Sequence, residues 1–438
     1  MLKIALLVYF ILFVVSLLMY KKMSNPIVCF NLIWTVWMVI ALIGVTGIRT
    51  ATSEVYKYFI IGGIVFNIAG FIFIIFDTLK YSKKGIKPRR ETSLYYYKQL
   101  IFSMIQIVIL IYYIFEMFDL LSALSSGQTY EHIRGYYYSD ENFSSRLEYL
   151  VVTYLFDPMV TLAQVVFVIN LFDKKKSTPS LTVMLLNVLL RSIISGGRMI
   201  VFELATLILL CFFYQYKSFI KYNKSKIYKA VGILCLVLII VWLISQGRKQ
   251  ATHDESRNII SILFSNFTGS FTYFSILNRN SIYPPLQYGR AIFAGAIDIF
   301  FMATNMIGLT NASLTTNEIG NILSEFYSVG TYSYNAMPSM YYFFISDFGK
   351  VGIVIGCIIF AFYAVYAYTR CNHLKTYKSL ALYLLMMLVI VESSMTWLPF
   401  KISFVITLVY AMIFMSNKPL PSMKSEKNNE FISYNSKL

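Results

Sequence analysis

Apolar stretches of membrane-crossing length recur along this chain, near residues 4–20, 27–48, 58–76, 100–118, 149–172, 180–194, 199–216, 228–245, 349–369, 379–396 and 402–416. A helix of about 20 residues crosses a hydrocarbon core of about 30 Å. In that medium every backbone N–H and C=O must be satisfied within the segment, which leaves helices as the solution for long, non-alternating apolar runs. The chain is therefore predicted to be all-α, a polytopic integral membrane protein with about eleven transmembrane helices. The stretches near 180–194 and 402–416 are short, so their boundaries are soft. Composition agrees: 58% of residues are hydrophobic and 13% charged, against roughly 25% charged in soluble domains.

The net charge of +17 raises the question of nucleic acid, but a basic chain this apolar carries its lysines in cytoplasmic loops that set topology. Lys21 and Lys22, the 80–98 connection, Lys174 to Lys176, the 217–229 lysines, Arg370 with Lys375 and Lys378, and the C-terminal tail all fall on one side if connections alternate. That side is the cytoplasm, so the N-terminus is expected outside and the C-terminus inside. The apolar run 4–20 ends without a small-residue cleavage site and is expected to be a retained helix. Cys29, Cys211, Cys235, Cys357 and Cys371 lie in apolar runs or a cytoplasmic turn, which disfavours both disulfides and a cysteine metal site.

This topology leaves the connections 119–148 and 246–347 outside. The second, between the eighth and ninth helices, is far longer than an ordinary loop and is expected to handle the substrate. Within it, 259–275 carries Ile260, Leu263, Phe267, Phe271 and Phe274 at helical spacing, as an interfacial amphipathic helix does. A second apolar piece, 291–308, is interrupted by Asp298. The two pieces together are alternatively a pair of extra spans or a re-entrant hairpin; a lone charge near mid-bilayer, at a few kcal/mol or more, weighs against both. Residues 1–420 are thus read as the membrane domain and 421–438 as a disordered cytoplasmic tail.

Arginine and lysine divide unequally on this topology. Twenty-one of twenty-six lysines are cytoplasmic, whereas nine of twelve arginines are outside: Arg49, Arg134, Arg146, Arg191, Arg198, Arg248, Arg257, Arg279 and Arg290. A planar guanidinium binds phosphate or carboxylate bidentately and tolerates partial burial, so the asymmetry points to an anionic substrate group near the outer surface. Pairing with outer acids such as Glu131, Asp140, Glu141, Asp254 and Glu255 is the plainer alternative. The run Arg191-Ser192-Ile193-Ile194-Ser195-Gly196-Gly197-Arg198 sets two arginines about adjacent glycines whose N–H groups suit a pyrophosphate; an interhelical turn with snorkelling arginines is the alternative. Ser245-Gln246-Gly247-Arg248-Lys249 repeats the pattern, with His253, Asp254, Glu255 and Arg257 close behind. His253 titrates near neutrality and Asp254 is a carboxylate, so either suits a general base. Asp157 and Glu203 are acids inside apolar runs and are expected to pair between helices, or to serve a transporter as ion or proton carriers.

The ending Tyr334-Asn335-Ala336-Met337-Pro338-Ser339-Met340-Tyr341, then Asp347-Phe348-Gly349-Lys350-Val351-Gly352, together with the many helices, the Ser-Gly-Gly-Arg turn and the long late outer loop, resembles the oligosaccharide repeat-unit polymerases, the Wzy-type O-antigen polymerases. The resemblance implies a metal-independent, membrane-embedded glycosyltransferase that needs no cofactor. It moves a growing glycan from undecaprenyl pyrophosphate onto another lipid-linked unit at the outer face of the bacterial inner membrane. Arg191, Arg198 and Arg248 are then expected at the leaving pyrophosphate, with His253 or Asp254 as base. Arg134, Arg257, Arg290, Gly197, Tyr334 and Asp347 are expected to hold substrate. Expected partners are the lipid-linked oligosaccharides, membrane lipids, a chain-length regulator and a flippase, with no nucleic acid. A lipid-linked oligosaccharide flippase or other transporter, and an O-antigen ligase, are the rival functions.

Overall fold

The structure is a computed structural model, and it describes residues 1–44, 47–82, 94–130, 145–172, 178–219, 259–330 and 333–419, with isolated positions between 232 and 243. About 79% of it is helical, an all-α membrane-embedded architecture. Among the described residues six helices are long and apolar enough to cross a membrane, joined by shorter apolar ones. Every apolar stretch read from the sequence coincides with a helix except that near 228–245, which lies outside the described residues. The chain divides into two compact units. Residues 1–84, 257–369 and 386–405 form the first; 85–256, 370–385 and 406–438 form the second.

The first unit begins with α1 (Leu2–Tyr20) and α2 (Pro26–Ile43). Lys21 closes α1 in the left-handed conformation, and Asn25 opens α2 by accepting from the Ile27 N–H, with Pro26 at the first helical position. A left-handed residue ends a helix, and an Asn followed by Pro starts one, so the reversal is written locally. The third helix, α3 (Ser53–Ser82), is held to α2 by a reciprocal amide pair between Asn31 and Asn67, at 2.8 and 2.9 Å. Amide pairs of this kind serve where lipid supplies no hydrophobic drive between helices. Gly62 and Gly63 of α3 lie against the rings of Tyr341 and Tyr9, where a Cβ would come within 2.3 and 2.7 Å.

In the second unit, α4 (Leu94–Ser125) precedes α5 (Arg146–Val151), a π-helical turn over Val152–Phe156, and α6 (Asp157–Leu171). Pro158 explains the turn. It has no N–H for the carbonyl of Tyr154, and its ring crowds that position, so the ladder widens locally. The freed Tyr154 carbonyl accepts from the Tyr410 hydroxyl at 3.1 Å instead. Then come α7 (Thr178–Ser195) and α8 (Arg198–Phe219). Asn187 of α7 donates to the carbonyl and side-chain oxygen of Gln106 on α4 at 2.8 and 2.9 Å.

The first unit resumes with α9 (Ile259–Arg279). This helix differs from the one-sided interfacial helix expected there: from Phe267 to Ser275 every residue is buried. Phe267 stacks on Trp37 at 3.7 Å and Phe271 on Trp34 at 5.6 Å, and Trp34 donates to Ser393 at 3.0 Å. Ser270, Thr272 and Ser275, the polar positions between these rings, bond to the carbonyls of Ser394 and Arg49 and to the Thr52 N–H. These hydroxyls are thus engaged within the protein, and the stretch Phe267 to Ser275 has no exposed residue. Next come α10 (Ala294–Met306), α11 (Thr315–Leu323), a two-stranded hairpin of β1 (Tyr327–Ser328) and β2 (Ser333–Tyr334), and α12 (Met340–Phe348). A 3-10 turn over Gly349–Val351 leads to α13 (Gly352–Leu374); α14 (Tyr377–Glu392) and α15 (Ile402–Phe414) end the described chain.

Candidate functional site

Of the site residues expected from sequence, Arg134, Arg248, His253, Asp254 and Arg257 lie outside the described residues. Arg191, Gly197 and Arg198 belong to the second unit; Arg290, Tyr334 and Asp347 belong to the first.

In the second unit, Arg191 forms an ion pair with Asp157 at 2.8 Å, mostly buried on both sides. Its Nη1 also approaches the Asp157 carbonyl and the Thr161 hydroxyl at 3.4 Å. The pair sits where the π-turn meets Pro158. The interhelical pairing expected for Asp157 is therefore present, and Arg191 is its partner. The phosphate contact expected of Arg191 would have to share its guanidinium with this carboxylate.

The expectation for the Ser-Gly-Gly-Arg run is corrected. Gly196 takes φ +60°, and its N–H bonds to the Ile193 carbonyl. The Gly197 N–H bonds to the Ser192 carbonyl at 3.1 Å and to Ser195 Oγ at 3.2 Å. These are the bonds of a left-handed helix C-cap. The glycines end α7 and release the chain into α8, and the Gly197 N–H is committed to the cap. Arg198, half-buried, opens α8.

In the first unit, both carboxylate oxygens of Asp347 are used. They accept from the N–H groups of Ala291 and Ile292 at 2.8 and 2.7 Å, and the side chain is fully buried. The substrate contact expected of Asp347 gives way to a clamp that ties the end of α12 to the segment before α10. The Asp-Phe-Gly-Lys-Val-Gly run then reads as a bend. Gly349 has φ +61°, and a Cβ on Gly352 would lie 1.8 Å from the Phe344 carbonyl oxygen. Tyr334, also expected at substrate, is 7% exposed; its hydroxyl donates to the Asn266 carbonyl at 2.6 Å and its ring covers Gly269.

Arg290 is different. Its Nη2 donates to the Ser313 carbonyl at 3.0 Å and its guanidinium lies 5.5 Å from the Phe301 ring centre, while Nε is buried with no hydrogen-bond partner. Among the described residues it has no carboxylate partner, nor do the exposed Arg49 and Arg279. Three acids of this unit are engaged elsewhere. Asp298 accepts from the Thr315 and Thr316 N–H groups at 3.2 and 2.7 Å. Glu318 accepts from Ser313, and Glu325 from the Tyr327 hydroxyl at 2.6 Å.

Sequence reasoning missed Glu54. It receives Lys350 Nζ at 2.9 Å, the Tyr58 hydroxyl, and Asn278 Nδ2 at 3.2 Å, while Asn278 Oδ1 accepts from the Tyr283 hydroxyl at 2.9 Å. Burial pushes the Tyr283 hydroxyl well above its usual range, so it stays a neutral donor. The available signal was an acid opening a long apolar helix. This cluster and the three arginines come from segments bonded to one another: the Arg49 N–H donates to Val329, Thr272 to the Arg49 carbonyl, Thr52 to Ser275, and Tyr288 to Asp347. Among the described residues no three His, Cys, Asp or Glu side chains come together as a metal site requires. Compared with protein-family models, curated proteins and solved structures, the chain matches none.

Proposed function

We propose that this chain is a membrane-embedded glycosyltransferase of the bacterial inner membrane, with its N-terminus outside. It polymerises undecaprenyl-pyrophosphate-linked oligosaccharide repeat units into O-antigen, capsule or exopolysaccharide at the outer face. The observation that carries the reading is the set of arginines in the first unit, Arg49, Arg279 and Arg290, without carboxylate partners among the described residues, while Glu54, Asp347, Asp298 and Glu325 are committed to Lys350, to hydroxyls or to backbone amides. On the topology given by the lysines, the segments bearing them face outward. Guanidinium groups held unpaired at a membrane surface favour a multiply charged anion, and a lipid pyrophosphate is one that both substrates of such a polymerase carry.

The chemistry is a displacement at the donor sugar. The bond from its anomeric carbon to pyrophosphate breaks, the acceptor hydroxyl oxygen bonds to that carbon, and the hydroxyl proton passes to a base. Arginines stabilise the charge that gathers on the leaving pyrophosphate. His253 and Asp254 are the candidates for the base.

A second reading, a lipid-linked oligosaccharide transporter, draws on the Asp157–Arg191 pair beside the π-turn. Ionised groups and helix distortions within apolar helices recur along transport paths. Deleting the chain from its bacterium and examining surface glycan and precursors separates the readings. Single repeat units on the surface carrier are expected for a polymerase. Polymer stranded on undecaprenyl pyrophosphate means a ligase, and precursors held on the inner leaflet mean a transporter; either overturns the proposal.

A further inference from the structure

The segment 294–323 is a helical hairpin whose two legs present opposite chemistry. On α10 the exposed positions are Ala296, Phe300, Ala303 and Met306, spaced four, three and three residues apart on one side of the helix, with Ile307 just past its end, and none is polar. On α11 the exposed positions are Asn317, Gly320 and Asn321. Between the legs, Ile307 and Leu309 stand 70% and 72% exposed. At 13 residues α10 is about 20 Å long, too short to cross a core of about 30 Å.

The turn is tied together by the Asn305 side chain. Asn305 Oδ1 accepts from Thr310 Oγ1 at 2.7 Å and the Ala312 N–H at 3.2 Å, while its Nδ2 donates to the Ala312 carbonyl at 2.9 Å. The N–H groups of Gly308 and Leu309 bond to the carbonyls of Asn305 and Thr304. An exposed turn of this kind suits the boundary between headgroups and acyl chains, where its carbonyls meet water and its apolar side chains dip inward. Asp298, the charge that argued against membrane insertion of this piece, is fully buried and holds the first two N–H groups of α11. It presents no bare charge to lipid.

We infer that this hairpin lays its turn, Met306–Leu309, at the boundary of headgroups and acyl chains in one leaflet, with Ala296, Phe300 and Ala303 of α10 and the following Ile307 against acyl chains. Arg290 sets the depth. Its guanidinium spans the legs, bonded to Ser313 and lying over Phe301; with no carboxylate partner among the described residues, it fits the level of the membrane phosphates, which is also the level of a lipid-linked pyrophosphate. Six residues separate Phe301 from Ile307, so the turn sits about 9 Å below that level. The inference depends on the membrane reading and is independent of the glycan chemistry.

The test is collision of spin labels with two paramagnets in liposomes of mixed neutral and anionic phospholipid. Cys235 is exposed and the other four cysteines are buried, so the full-length Cys235→Ser chain serves as background. Labels are placed singly at Ala303→Cys, Ile307→Cys, Asn317→Cys and Asn321→Cys. At 303 and 307 oxygen, which concentrates in hydrocarbon, is expected to collide several-fold more than a water-soluble nickel chelate, with the order reversed at 317 and 321. Dominance of the nickel chelate at 303 and 307 overturns the inference. So does inaccessibility of both positions to both reagents, which means a second copy or another protein covers the face.

Discussion

The two units bury their carboxylates differently. Asp298 and Asp347 of the first unit are held by pairs of backbone N–H groups, whereas Asp157 of the second is held by Arg191. Amide donors stabilise a carboxylate without cancelling its partner's charge, because they carry none. An arginine partner is itself neutralised. Asp298 and Asp347 are therefore buried without using an arginine, and Arg290 has no carboxylate partner among the described residues. In the second unit, the arginine that looked most like a ligand is spent on the fold.

Removing the charged partner in the second unit has the largest expected effect. Arg191→Ala leaves Asp157 uncompensated beside a distorted helix and is expected to cost about 3 kcal/mol, read as thermal unfolding in detergent or as loss of protein from the membrane. Adding Asp157→Asn should recover part of that loss; a double variant as unstable as the sum of the singles breaks the assignment. In the first unit, Asp347→Asn replaces one charge-assisted acceptor by a donor facing an N–H, and should cost about 2 kcal/mol. Asp298→Asn is milder, at about 1 kcal/mol, as for other helix N-terminal contacts. An Asp298 effect equal to that of Asp157→Asn alone would erase the distinction between the units. The smallest effect is expected at Lys350→Gln, an exposed partner of Glu54, with no resolvable change in unfolding temperature.

Much of the helical framework was legible because apolar length and flanking charge are properties of single segments. Partners were not. Asp298 stood out as an acid in an apolar piece, but what satisfies it are the N–H groups of Thr315 and Thr316, and backbone amides carry no residue identity. Gly196 and Gly197 announced a turn correctly; whether their N–H groups face a ligand or cap a helix depends on where α7 ends, which periodicity leaves loose by a residue or two. Tyr334 and Asp347 were expected at substrate from the sequence, and their hydroxyl and carboxylate hold the fold's own backbone. The Arg–Lys asymmetry was countable, yet only the committed acids around Arg290 distinguish a free guanidinium from a paired one.

The central claim is that an unpaired guanidinium in the first unit serves a pyrophosphate-linked substrate. The most direct test is surface glycan length in cells whose only copy carries Arg290→Lys, with membrane levels of the protein matched to the unaltered chain. Lysine keeps the charge and loses the fork. The account predicts collapse of long glycan to single repeat units at normal protein level. Glycan of unaltered length would contradict it.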